Sequence, residues 1–465
     1  MPSATPRSTL AIRPRPPTES QTPINRKHAP CTSYPESSPL DNFSFYNPPT
    51  IYSDRPSKRS MTTPSKTIAV VNSSGRQAAS FIRVASAVGY NVRAQLRNLD
   101  GIVASEISSL PNVTVLVGDL FIKRSSSSSS TLDPETTKLN DALIRDLFHG
   151  AQLAFINTTF WGDEYAIGCA LADAAAAVGI EHYIYSSMPN HSVVNSSWPS
   201  LPLWSEKYAV ETYIRTQLPC LRSTFLYTGI YNNNFTSLPY PLFCMALQPD
   251  GSFEWQAPFH PDVPLPWLDA EHDVGPAVLQ VFKDGPPASS SNPRRIPLAY
   301  EFLSPKQACA AFARGVGRPV IYKHNPDIEV RVKIPKGYKE QLVALERMYA
   351  LGKDDLTLQP PYFAEQELEN KVPEEALKLW EGYRGLEEYA REVFPLEEAA
   401  NGLTWMVEEN YEDRTYTPSE VTNGGVDENP NYEEDDDDDD GLTIGGGLGT
   451  SGEATPARKE ETWLA

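Results

Sequence analysis

Lys66-Thr67-Ile68-Ala69-Val70-Val71-Asn72-Ser73-Ser74-Gly75-Arg76-Gln77-Ala78-Ala79 reads as a short buried strand, a tight turn and the start of a helix. An apolar run closed by small polar residues and followed by helix formers has that form. Such a turn aims backbone N–H groups and a helix N-terminus at an anion, most often a dinucleotide pyrophosphate. The spacing is that of G-x-x-G-x-x-G, but only Gly75 remains, with Asn72 and Ala78 in place of the other two glycines. Asn tolerates left-handed backbone, so Asn72 can stand in for the first glycine. Ala suffices where the last glycine serves only close helix–strand packing. An ordinary strand–helix connection looks the same, and the motif alone does not make an enzyme.

Strands and helices alternate outward from this stretch. Val92–Leu96, Val113–Val117, Leu153–Thr158, His182–Ser186 and Ser223–Tyr227 read as strands. Arg76–Val88, Leu139–Phe148, Glu164–Val178 and Glu206–Gln217 read as helices. This alternation predicts an α/β fold, a Rossmann-like doubly wound parallel sheet, with crossover helices long enough to connect parallel strands. Residues 229–335 are richer in Pro and aromatics and read as a smaller substrate-side region. Residues 336–400 read as amphipathic helices, Tyr338–Tyr349 and Pro373–Val393. The expected organisation is a disordered extension over 1–65, a nucleotide-binding domain over 66–335, a helical segment over 336–405 and an acidic disordered tail over 406–465. Ser125–Ser130 reads as a surface insertion.

The chain has 465 residues, with 40 Lys+Arg against 60 Asp+Glu. The acidity is concentrated at the end: residues 401–465 hold 18 acids and 3 bases, including the run Glu433–Asp440. That tail reads as a solubilising segment, or as a long-range attractor for a basic partner module. The core has no dense Lys/Arg stripe, which disfavours direct nucleic-acid binding. No apolar run is long enough to cross a bilayer. Five scattered cysteines without C-x-x-C suit free thiols in a reducing compartment. The prolines of residues 1–30 would interrupt the helix that a transit peptide needs, which favours a plain extension.

Several clusters carry possible chemistry. Asn157-Thr158-Thr159 and Tyr185-Ser186-Ser187-Met188-Pro189 end strands on the carboxyl edge, where such folds bind ligands, although turn chemistry explains them equally well. Arg93, Arg97 and Asn98 lie at the second strand, where cations permit an NADP 2′-phosphate or merely solvate a strand end. In short-chain reductases a Tyr stands four residues before a Lys and shuttles a proton. Here Lys207 has Leu203 in that place, which cannot transfer a proton, so no catalytic residue is assigned. The literal Tyr349–Lys353 spacing lies far downstream and reads as accidental. A reductase using Tyr185 or His191 as donor is the alternative. Asp269, Glu271, His272 and Asp273 are close enough in sequence for a metal site, but Asp273 before Val-Gly-Pro reads better as a helix N-cap.

Together these residues resemble the NmrA-like family. The likeness runs through Lys66–Ala79, Leu153–Thr159, His182–Pro189, Pro202–Glu211, Thr228–Pro241, Pro264–Lys283 and Glu375–Trp405, about 66–405 in all. Tyr231–Phe235 and Leu265–Asp273 are its specific strings. The resemblance implies an atypical short-chain dehydrogenase/reductase fold without oxidoreductase activity, binding NAD or NADP as a redox sensor that favours oxidised forms. It implies negative regulation of nitrogen catabolism through contact with a GATA-type zinc-finger transcription activator, in nucleus and cytoplasm. Carried over by position, it implies a pyrophosphate turn at Asn72, Ser73, Ser74, Gly75, Arg76 and Gln77. Arg97 and Asp119 fall at the adenosine end, and Asn157, Thr158, Thr159 and Lys207 at the nicotinamide end.

Overall fold

The computed structural model of the chain describes residues 66–122, 138–160, 162–288, 294–353 and 355–403. The extension 1–65, the insertion Ser125–Ser130 and the acidic tail 406–465 lie outside the described residues. Seven strands form one parallel sheet: β1 (Thr67–Val70), β2 (Asn91–Leu96), β3 (Val113–Val117), β4 (Leu153–Ile156), β5 (His182–Ser187), β6 (Ser223–Thr228) and β7 (Arg294–Leu298). Their order is β3-β2-β1-β4-β5-β6-β7. The chain steps outward from β1 to β3, then returns to the other side of β1 to lay down β4. That reversal parts the connections above β1 and β4 and opens a crevice at their carboxyl ends.

Both faces of the sheet are covered. Ile68 and Val70 point to a layer with α1 (Arg76–Ala87) and α4 (Ala270–Asp284). Ala69 and Val71 point to the opposite layer with α2 (Glu164–Val178) and α3 (Pro202–Gln217). Strands buried on both sides carry near-continuous apolar runs, which is why they are visible in the sequence. The doubly wound parallel fold is therefore as expected.

The details correct the sequence reading in several places. β7 was not foreseen, because Arg294-Arg295-Ile296-Pro297-Leu298 carries two charges and a proline. It is an edge strand, where Pro297 leaves no internal ladder donor missing. Helix α3 starts at Pro202, not Glu206, because proline at the first helical position is preset for the helix. This earlier start places Leu203 and Lys207 one turn apart on the same helix. Helix α4 is capped by Asp269, whose side chain accepts from the N–H groups of Glu271 and His272. Asp273, the expected cap, lies in the first turn and accepts instead from Arg384 N and His272 Nδ1. Among the described residues, Cys169, Cys244 and Cys309 carry free thiols.

After β6 the chain leaves the large sheet. Ile230–Tyr231, Leu265–Leu268 and Glu301–Leu303 form one three-stranded sheet, and Met245–Leu247, Phe253–Ala257 and Val320–His324 another. Residues 229–335 are thus interleaved with the main fold, since α4 and β7 return to it. Two further helices follow, α5 (Pro305–Val316) and α6 (Lys336–Ala350), and α6 packs on α3. The predicted helix Pro373–Val393 is two helices, Glu374–Leu379 and Leu386–Glu392, the second starting after Gly385.

Helices α1 and α4 cross at Gly275, whose N–H donates to Ser80 Oγ at 2.9 Å. A methyl group on Gly275 would overlap the Ser80 backbone carbonyl. Gly275→Ala is expected to lower stability by about 1–3 kcal/mol through overpacking, read as a shift in urea midpoint. Gly101→Ala, where an added methyl meets nothing within 4 Å, should move the midpoint far less.

Candidate functional site

The turn after β1 is built around a left-handed residue. Asn72 has φ 55°, so a side-chain amide occupies the conformation that glycine adopts most easily. Its carbonyl accepts from Gly75 N at 2.9 Å, closing the turn. Gly75 must be small, because a Cβ there would lie 2.7 Å from Asn72 Nδ2. Buried Gln95, on β2, clamps the turn: its Oε1 accepts from Asn72 N at 3.1 Å, and its Nε2 donates to Gly118 O at 2.8 Å. Ser73 N donates to the Gln95 carbonyl at 3.1 Å. Helix α1 then begins at Arg76 with no side-chain cap and no acid in its first turn. An uncapped helix start presents its first N–H groups to an anion.

A cleft lies over these strand ends. Asn72, Ser73, Ser74, Arg97, Asp119, Asn157, Thr158 and Thr159 all line it, although they come from four separate stretches of sequence. Asn157 is fully buried at its wall, and neither its Oδ1 nor its Nδ2 has a hydrogen-bond partner among the described residues. Asn72 Nδ2 is likewise buried without a partner. Leaving such groups unpaired costs about 1–3 kcal/mol each, so the cleft is built for a polar occupant.

Four of the sequence-derived residues do not line this cleft: Gly75, Arg76, Gln77 and Lys207. Arg76 is buried, donates from Nη1 to Asn233 O at 2.5 Å and lies 3.6 Å from Glu271. Gln77 donates from Nε2 to Tyr231 OH at 2.5 Å. Both side chains bind the turn to the rest of the fold, which leaves only their backbone N–H groups to face a ligand. Arg93 also turns away, with Nε donating to Leu147 O and Nη2 to the Asp146 side chain. Of Arg93 within β2 and Arg97 just beyond it, only Arg97 lines the cleft.

Lys207 projects from α3 beneath Thr158. Its ammonium donates to Thr158 O at 2.5 Å and to Glu164 Oε1 at 2.9 Å, and both charged side chains are buried. Thr158 Oγ1 donates to the same Glu164 oxygen at 2.6 Å and lies 2.8 Å from Tyr185 OH. One turn before Lys207, Leu203 presents an aliphatic side chain to a second cleft that Lys207 also lines. Tyr185 and His191 are poor proton donors in this setting. Burial holds the Tyr185 hydroxyl well above the usual tyrosine range, and its OH is engaged by Thr158. Burial pushes the His191 imidazole down, and its Nε2 is bound to Pro361 O at 2.9 Å.

Gln95 and Glu164 were missed in the sequence. Gln95 is a buried polar residue near the end of a strand that also carries Asn91 and Arg93, and Glu164 opens the helix after Asn157–Thr159. Both positions carry signals that a strand-end reading could have used. Among the described residues, no group of three or more His, Cys, Asp and Glu is placed to hold a metal ion. No described helix is long and apolar enough to cross a membrane.

The chain matches the sequence model of the NmrA-like family over residues 64–390. It is 63% identical over 365 residues to the nitrogen metabolite repression protein nmr of Neurospora crassa, covering 76% of this chain and 74% of that protein. It is 51% identical over 381 residues to the nitrogen metabolite repression protein nmrA of Emericella nidulans, covering 75% of this chain and all of that one (100%). Crystal structures of NmrA, described as a negative transcriptional regulator, in complex with NADP and with NAD share its fold at TM-score 0.65 and 55% identity. Those matches cover 74% of this chain and 99% of theirs. By sequence and by fold, this chain belongs to the NmrA-like family.

Proposed function

We propose that this protein is a negative transcriptional regulator in nitrogen metabolite repression that binds NAD or NADP without turning it over. It restrains a GATA-type zinc-finger activator by protein contact, in nucleus and cytoplasm, and favours the oxidised dinucleotide. The observation that carries the reading is the pairing of an intact strand-end cleft with Leu203 one turn before Lys207. The cleft keeps polar groups that need a partner, while the position of the proton-relay tyrosine is aliphatic.

The residues present fit a dinucleotide. The uncapped start of α1 suits the pyrophosphate, with the backbone N–H groups of Gly75, Arg76 and Gln77 beside Asn72, Ser73 and Ser74. Arg97 and Asp119 suit the adenosine end, where a guanidinium pairs with a 2′-phosphate. The orphaned amide of Asn157, with Thr158 and Thr159, suits the nicotinamide end. Lys207 already donates to Thr158 O and Glu164, so it acts there chiefly by fixing Thr158. When bound, the nicotinamide would supply hydride chemistry, but the described residues offer no placed proton donor to complete a carbonyl reduction. The competing reductase reading needs Tyr185 or His191, which are buried, with the Tyr185 hydroxyl engaged by Thr158 and His191 Nε2 by Pro361 O. The NADP and NAD complexes of NmrA support the cofactor assignment, and the names of the relatives support the regulatory one.

Arg97→Ala should weaken NADP binding about tenfold or more, the value of a charge-assisted hydrogen bond, and leave NAD nearly unchanged in the same calorimetric assay. An equal loss for both dinucleotides would remove Arg97 from the 2′-phosphate site. The regulatory half is tested by capture: the full chain should retain a purified GATA zinc-finger module on a column and oxidise no NADPH with a carbonyl panel. A module that flows through, or NADPH consumption abolished by Lys207→Ala, would contradict it.

A further inference from the structure

A second cleft opens beside α3 and α6, lined by residues of both helices. Aromatic and aliphatic side chains line it, among them Trp204, Phe259, Tyr338 and Tyr349 with Met188 and Leu345. Burial raises the hydroxyls of Tyr338 and Tyr349, so these rings stay neutral. Lys207 is the only charged residue among those lining the cleft. Its charge is already met by Glu164 at 2.9 Å. Two of its three N–H groups are used, on Glu164 and on Thr158 O, which leaves one donor for an acceptor on a ligand. A ligand carboxylate would have to share the ammonium with buried Glu164, a like charge, at a desolvation cost. Asn234 also lines the cleft, is nine-tenths buried, and its Oδ1 has no partner among the described residues. That oxygen requires a donor.

We propose that this cleft is a second small-molecule site, for an uncharged aromatic compound carrying one hydrogen-bond acceptor and one donor. The rings give the apolar contact, Lys207 meets the acceptor and Asn234 Oδ1 meets the donor. With Leu203 on its wall in place of a proton-transferring side chain, the occupant is held and released unchanged, so it acts as an effector. The effector role rests on the proposed loss of the proton relay, whereas the site itself needs no dinucleotide and its test contains none.

The probe is 3-hydroxybenzophenone, which is neutral near pH 7, has a ketone acceptor and a phenol donor, and inserts into nearby C–H bonds under near-ultraviolet light. With the full chain, labelling should saturate and map to peptides that contain Met188 or Leu345. The anion 3-benzoylbenzoate should need about tenfold more for half-saturation, and so should 3-hydroxybenzophenone with Asn234→Leu, each the cost of one lost or opposed polar contact. Plain benzophenone, lacking the donor, should label wild type and Asn234→Leu about equally. Labelling that never saturates, that saturates on other segments, or that is equally efficient for the anion would overturn the proposal. The mapping on wild-type protein decides the site even where Asn234→Leu does not fold.

Discussion

The side chain of Gln95 ties together the carboxyl ends of three strands. It accepts from Asn72 N after β1, sits at the end of β2, and donates to Gly118 O after β3. Everything at the strand-end cleft depends on that clamp. A non-glycine residue in left-handed backbone costs free energy, on the order of 1 kcal/mol. Asn72 is held there by its own carbonyl bond to Gly75 and by Gln95. The turn therefore keeps its shape without the glycine that usually permits it, and the start of α1 stays uncapped and aimed at the cleft.

A second constraint lies on the other side of the switch point. The buried Lys207–Glu164 pair joins α3 to the start of α2 and fixes Thr158 between them. Buried ion pairs seldom add much net stability, but removing one partner costs about 3–5 kcal/mol because the other is left uncompensated. Lys207 is therefore needed by the fold whether or not any chemistry occurs. Lys207 thus has a structural duty of its own beside Leu203. Lys207 lines the aromatic cleft, while Thr158, which it holds, lines the strand-end cleft. One ends in unpaired amides and the other in aromatic rings, so their occupants differ in chemistry.

The parts of the fold that were legible in the sequence are those where burial writes a simple pattern. β1, β4, β5 and β6 lie inside a sheet covered on both faces, and their apolar runs could be read directly. β7 was hidden because an edge position tolerates Arg294, Arg295 and Pro297. The break between Glu374–Leu379 and Leu386–Glu392 was hidden because amphipathic spacing continued across it. At the site, strand ends could be located, which brought Asn72, Asn157 and Thr158 to one place. Side-chain direction could not. Arg76 and Gln77 stand in the turn yet reach inward to Asn233 and Tyr231, since their partners come from a stretch more than 150 residues away. Gln95 was passed over for a related reason: its partners, Asn72 and Gly118, become neighbours only when the parallel sheet forms.

A dinucleotide receptor that has lost its proton relay is the central claim, and calorimetric titration of the full chain with NAD, NADP, NADH and NADPH tests it most directly. The account predicts saturable binding of NAD and NADP at a single site per chain, with the reduced forms binding more weakly. Failure of all four to saturate would contradict it.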